Sequence, residues 1–304
     1  VAAGTYKPTS DGNRSLSFNL KNGVIVLGSY AGIDGNNDRN WTTYPTILSG
    51  DIGVQANNSD NSYHVVQAVD CNASTMLDGF TIREGRAYGP SAEDKKGGGI
   101  YVLRGAPVLR NLKLLSNEAE QGAGIYLNDS DATFTDSRLQ GNTAIRGGGM
   151  VTRGTSTTTL SELIFVENEA SQIGGGIDGK RITADKLKFS RNKSPKGGAI
   201  SVEDSYLHLK HCLFRDNNAS SQGGALRVYN SNFSVSNSLF YGNQANNGGA
   251  FYFDRLGTPT LEHLTIVNNH ANMGSAIFSG REQGVYKLKN SIVWGNVSAG
   301  RTLR

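Results

Sequence analysis

Two phrases that each return about every twenty-five residues, with strict alternation of apolar and polar residues between them, predict an all-β chain. They predict a single-stranded right-handed parallel β-helix, a β-solenoid of about 25 residues per coil. The first phrase is glycine, then two small residues, then a large apolar one. It reads Gly97-Gly98-Gly99-Ile100, Gly122-Ala123-Gly124-Ile125 and Gly147-Gly148-Gly149-Met150. It continues at 174–177, at Gly197-Gly198-Ala199-Ile200, at 223–226 and 248–251, and at Gly274-Ser275-Ala276-Ile277. In the second phrase an apolar residue stands three before an asparagine. The asparagines are Asn117, Asn142, Asn168, Asn192, Asn217, Asn243, Asn269 and Asn296, with steps of 25, 26, 24, 25, 26, 26 and 27.

Each element of a coil follows from these phrases. A repeat this short buries its apolar side only by stacking on its neighbours. Stretches such as Leu207-His208-Leu209-Lys210 and Phe233-Ser234-Val235-Ser236 carry the period of two that marks a strand. The residue closing each glycine phrase forms one inward column, from Ile100 to Ile277. A second column runs Leu114, Leu139, Phe165, Phe189, Phe214, Phe240, Ile266 and Val293. Burial of each such side chain is worth about 1.5 to 3 kcal/mol. The glycines suit corners of positive φ or close backbone approach. The asparagines suit a tight bend, and identical amides stacked coil on coil form a structural ladder of hydrogen bonds. Eight coils at about 4.8 Å make a rod segment roughly 40 Å long.

The alternation of Gly197-Gly198-Ala199-Ile200 with Phe214-Arg215-Asp216-Asn217 resembles the polymorphic outer-membrane protein repeats of bacterial surface adhesins and autotransporters. The N-terminal third is similar to the leading coils of secreted right-handed β-helix proteins with a choice-of-anchor sorting region. The stretches that carry this are Val1-Ala2-Ala3-Gly4-Thr5-Tyr6, Phe18-Asn19-Leu20-Lys21-Asn22-Gly23-Val24, Tyr44-Pro45-Thr46-Ile47-Leu48 and Leu77-Asp78-Gly79-Phe80. The resemblance implies a secreted or cell-surface bacterial protein, extracellular or associated with the outer membrane. It implies an adhesive or structural role, with glycans or other surface molecules as partners. Because the fold also carries enzymes, a polysaccharide lyase or glycoside hydrolase is the alternative.

The repeat starts early and never breaks for long, so residues 1–96 read as leading coils with long loops and 97–304 as regular repeats of one solenoid domain. Lys and Arg number 30 against 26 Asp and Glu, scattered along the chain, which argues against nucleic acid as a partner. No apolar run is long enough for direct membrane insertion. The relatives' coils continue beyond Val1, and no polar or helical cap follows Asn296. The expectation is flanking segments, or ends covered by end-to-end or lateral self-association. Cys71 and Cys212 lie several coils apart and are not expected to pair. No cofactor is indicated except calcium, for which Asp34, Asn36 and Asp38 in the loop Asp34-Gly35-Asn36-Asn37-Asp38 are the candidate ligands.

Simple alternation places the residues one and three after the inward column on the outside. Candidate catalytic residues there are Arg153, Asp178, Lys180, Glu203, Arg227 and Asp254, and candidate sugar-binding rings are Tyr101, Tyr126, Tyr229 and Tyr252. Carboxylates beside cations suit acid–base chemistry on a polysaccharide. The Asp-rich motifs of pectin hydrolases and an unmistakable Arg and Lys pair of lyases are absent. The balance therefore leans to a non-enzymatic role. His211 and His263 fall in a column with Asn111, Asp136, Glu162, Lys186, Asn237 and Asn290, whose change of chemical type along the chain reads as surface.

Overall fold

The computed structural model describes residues 1–32, 38–254, 259–280, 286–298 and 301–302, the last pair as backbone alone. It is an all-β, right-handed parallel solenoid. Each coil passes through four sheets in the same order. One coil runs through Ile100–Gly105 in the first sheet, Val108–Arg110 in the second, Lys113–Leu115 in the third and Glu118–Gln121 in the fourth. Among the described residues the four sheets hold 10, 10, 11 and 10 strands. Short 3₁₀ turns at Asn58–Asp60 and Glu93–Lys95 lie in loops of the leading coils. No helix among the described residues is long and apolar enough to cross a membrane.

Corners in the left-handed region separate the sheets. Between the fourth sheet and the first this residue is always glycine in the regular coils, Gly97 to Gly274. A methyl group at Gly197, with φ of +68°, would lie 2.4 Å from the Ile200 carbonyl oxygen. No residue with a Cβ fits there. Coil length varies at the first corner. The step between the paired core positions Met150 and Leu160 is ten residues, and between Ile177 and Ala184 only seven. From the second sheet to the third it is five in every regular coil, as from Leu109 to Leu114 and from Val235 to Phe240, whereas the leading coil takes 22 residues from Val26 to Leu48.

The two apolar columns occupy the centre. Ile100 to Phe251 and Leu114 to Ile266 are buried, whereas Ile277 is half-buried and Val293 is 44% exposed, because fewer described coils cover them. Phe165, Phe189, Phe214 and Phe240 stack face to face at 4.7, 5.0 and 4.6 Å. Each ring pair is worth about 0.5 to 1.5 kcal/mol beyond burial. Phe214→Leu removes two such pairs at nearly constant volume, and a loss of about 1 to 2 kcal/mol is expected in urea denaturation. An unchanged midpoint would show that stacking adds nothing to burial.

The asparagines stand at the start of the fourth sheet, fully buried except Asn296 at 5%. Each Nδ2 donates to the Oδ1 of the asparagine one coil on, at 2.9 to 3.0 Å, from Asn117 to Asn296. The same Oδ1 accepts the backbone N–H of the preceding asparagine. A second Nδ2 hydrogen bonds a backbone carbonyl of the previous coil, as Asn192 does to Phe165. Cys71 and Cys212 are both free and buried, and burial pushes the Cys212 thiol up to about 12.

Candidate functional site

The row one after the inward column does not face solvent, contrary to simple alternation. Tyr101, Tyr126, Asp178, Arg227 and Tyr252 are each at most 6% exposed, and Val151 and Ser201 are fully buried. The cause is the glycine corner. Gly197 folds back over its own strand so closely that a methyl group on it would meet Ser201 Cβ at 2.9 Å. Side chains from the corner and the fourth sheet then close over the row: Lys96 over Tyr126, Arg146 on Asp178, Gln222 on Arg227.

Register does gather the predicted cluster. Asp178, Ser201, Arg227 and Tyr252 lie in one row, and Glu203, Tyr229 and Asp254 in the next. Asp178, Glu203 and Arg227 are already engaged. Asp178 Oδ2 accepts from Arg146 Nε at 2.8 Å and from Arg153 Nη2 at 2.5 Å. Arg227 Nη1 reaches both Glu203 and Ser201 at 3.2 Å. Lys180 is held through its backbone, whose N–H and C=O both bond the Thr152 hydroxyl. The ring faces are occupied too. Tyr101 stacks between His64 and Tyr126, Tyr252 stacks on Phe278, and the Arg227 guanidinium covers Tyr229. Burial raises the Tyr101, Tyr126 and Tyr252 phenols and lowers the His64 imidazole.

Asp34 and Asn36 of the candidate calcium loop lie outside the described residues. Asp38 accepts the Ala31 N–H through its backbone carbonyl. Among the described residues no group of three or more His, Cys, Asp or Glu is arranged to hold a metal ion.

The open concavity lies elsewhere. Where the second sheet turns into the third, a cleft of about 1010 Å³ runs along seven consecutive third-sheet strands, from Lys113 to Thr265. Six spacings of about 4.8 Å give it a length of roughly 29 Å. Its rim is the column of Asp136, Glu162, Lys186, His211, Asn237 and His263, all at φ between +49° and +57°. From Asn111 to Asn290 this corner never uses glycine, whereas each of the other three does in at least one regular coil. A left-handed conformation at Glu162 or Lys186 costs about 1 kcal/mol relative to glycine. The side chains are kept there despite the strain.

Among the described residues no carboxylate lies within ion-pair distance of Lys113, Arg138 or Lys188, which share one wall of the cleft. Lys186 pairs with Glu162 at 2.9 Å, and His211 Nδ1 lies 2.7 Å from Asp185. Hydrogen bonding to Lys186 holds the Glu162 carboxyl below its usual range.

One end is closed by the segment around Arg39. In the preceding coil the corner residue is Gly79, and a methyl there would meet Arg39 Nη2 at 2.4 Å. Arg39 binds the fully buried Asp78 through both Nη atoms, and Arg110 and Asn111 donate to the same carboxylate. Two residues on, Trp41 lines the end of the cleft and is 43% exposed. Nothing in the order of residues announces a corner deep enough to form a cleft or places Trp41 at its end.

The family profile for a right-handed β-helix region matches residues 98–255, which is 158 of the 304 residues. The chain belongs to the right-handed β-helix family. Neither the curated proteins nor the solved structures compared with it contain a match.

Proposed function

We propose that the chain is an extracellular or cell-surface module that holds a linear acidic glycan lengthwise in the cleft between its second and third sheets. The fold is consistent with surface and polysaccharide-related proteins. The observation that carries the finer reading is the cleft itself: long, open, parallel to the rod, with three cations that have no ion-pair partner among the described residues and an exposed indole at its end. Indole and other aromatic faces suit the apolar faces of sugars, and lysine and arginine suit carboxylates or sulfates. The module holds its ligand rather than cleaving it. Of the carboxylates on the cleft rim Glu162 is paired with Lys186, and the candidate carboxylates Asp178 and Glu203 lie away from the cleft and are engaged by arginine.

The test is calorimetric titration with oligouronates and with neutral oligosaccharides of equal length, alongside an assay for chain shortening. Acidic oligomers are expected to bind, with affinity falling as salt rises, and to remain intact. Replacing Lys113, Arg138 and Lys188 together by alanine should weaken binding roughly tenfold to a hundredfold, at about 0.5 to 1 kcal/mol per exposed charge contact. Equal binding of neutral oligomers, or none by either class, would sink the proposal, and shortened products would make the chain an enzyme.

A further inference from the structure

The cleft differs in chemistry between its two halves. Along one register row its wall begins Lys113, Arg138, Ile164, Lys188 and then goes over to Leu213, Leu239 and Thr265. Every Lys, Arg, Asp and Glu that lines the cleft lies in the first four coils, at or before Lys188. Past Lys188 the wall and floor are Leu213, Leu239, Cys212 and Ser238, with His211, Asn237 and His263 on the rim. Leu239 is 36% exposed, open to a ligand rather than covered by the fold.

A uniformly charged chain laid along this cleft would place half its carboxylates against leucine, where they lose water and gain no cation. A uniformly neutral chain would leave Lys113, Arg138 and Lys188 unused. We propose that the ligand is itself two-part: a linear glycan with a run of free carboxylates over the coils of Lys113 to Lys188. That run is joined to one whose carboxylates are capped as esters, or lacking, over Leu213 and Leu239. The first run lies toward Trp41. This specificity rests on the reading of the cleft as a glycan site, and charge complementarity along one row selects the occupant.

Three oligouronates long enough to span the cleft distinguish the possibilities: fully acidic, fully methyl-esterified, and half of each in two blocks. In low-salt titrations the two-block oligomer should bind at least about threefold more tightly than the fully acidic one, the scale of one or two exposed charge contacts. Leu239→Lys, a change at an exposed position, should reverse that order. Thermal melts of parent and variant establish that both are folded. Fully acidic oligomers binding as well as two-block ones, or an order that survives Leu239→Lys, would overturn the two-part specificity while the glycan site stands. Binding by none of the three would remove the glycan site and the specificity with it.

Discussion

Asn192→Ala is expected to destabilise the protein by about 4 kcal/mol, in the range set by two buried donors losing their acceptor. Asn168 donates both its backbone N–H and its Nδ2 to Asn192 Oδ1, at 3.0 Å each, and both residues are fully buried. Alanine leaves both unmet and also removes the donor to the Phe165 carbonyl. A cavity the size of the lost amide adds to the cost. Urea denaturation reads the effect directly. Asn192→Asp separates the roles, since it keeps an acceptor for Asn168 but loses the donor to Asn217 and buries a charge. Loss of less than about 1 kcal/mol in Asn192→Ala would mean that the ladder is a passive consequence of stacking.

Asp78→Ala should cost about 3 kcal/mol and open one end of the cleft. The value sits at the lower bound for breaking a buried ion pair, because Arg39 and Arg110 are partly exposed and can turn to water. Burial alone would raise the Asp78 carboxyl, but hydrogen bonds from Arg39, Asn111 and Arg110 outweigh it and hold it below the ordinary 3.8. The folded protein therefore favours the ionised form. Its contribution is complete above about pH 4 and is lost as the pH falls through the lowered folded value. Asp78→Asn should flatten this acid limb of the stability curve. Released from Asp78, Arg39 no longer fixes Trp41. In a Trp294→Phe background the single remaining indole should shift its fluorescence toward that of a solvated one, and oligouronate affinity should fall. An unchanged spectrum would show that Trp41 is held by other contacts.

The coil was largely legible in the order of residues. The columns of Ile100 and Leu114, the asparagines and the glycine phrase all mark where the backbone must turn inward or tighten. Alternation, however, distinguishes only one side of a strand from the other. It carries no information on what folds over that side, and the glycine corner with the side chains beside it buried Tyr101, Asp178 and Arg227. Gly197, with no room for a Cβ, was the available sign that the outside of the first sheet lies in a closed corner. The cleft was hidden for the complementary reason. Its rim, from Asp136 through His211 to His263, varies in chemical type and so reads as ordinary surface. What its members share is a backbone conformation, which the side-chain letters Glu and Lys do not announce.

In the regular coils the corner behind the cleft takes five residues, while the first corner stretches and shrinks. Growth and variation are thereby separated. A lineage can lengthen a loop at the first corner, or duplicate a whole coil, without altering the pitch at which successive side chains line the cleft. Each added coil would extend the cleft by one more row in step with the rest, and for the proposed glycan each row would add a contact to one tethered ligand. Affinity in such a molecule is a quantity that can be set by counting.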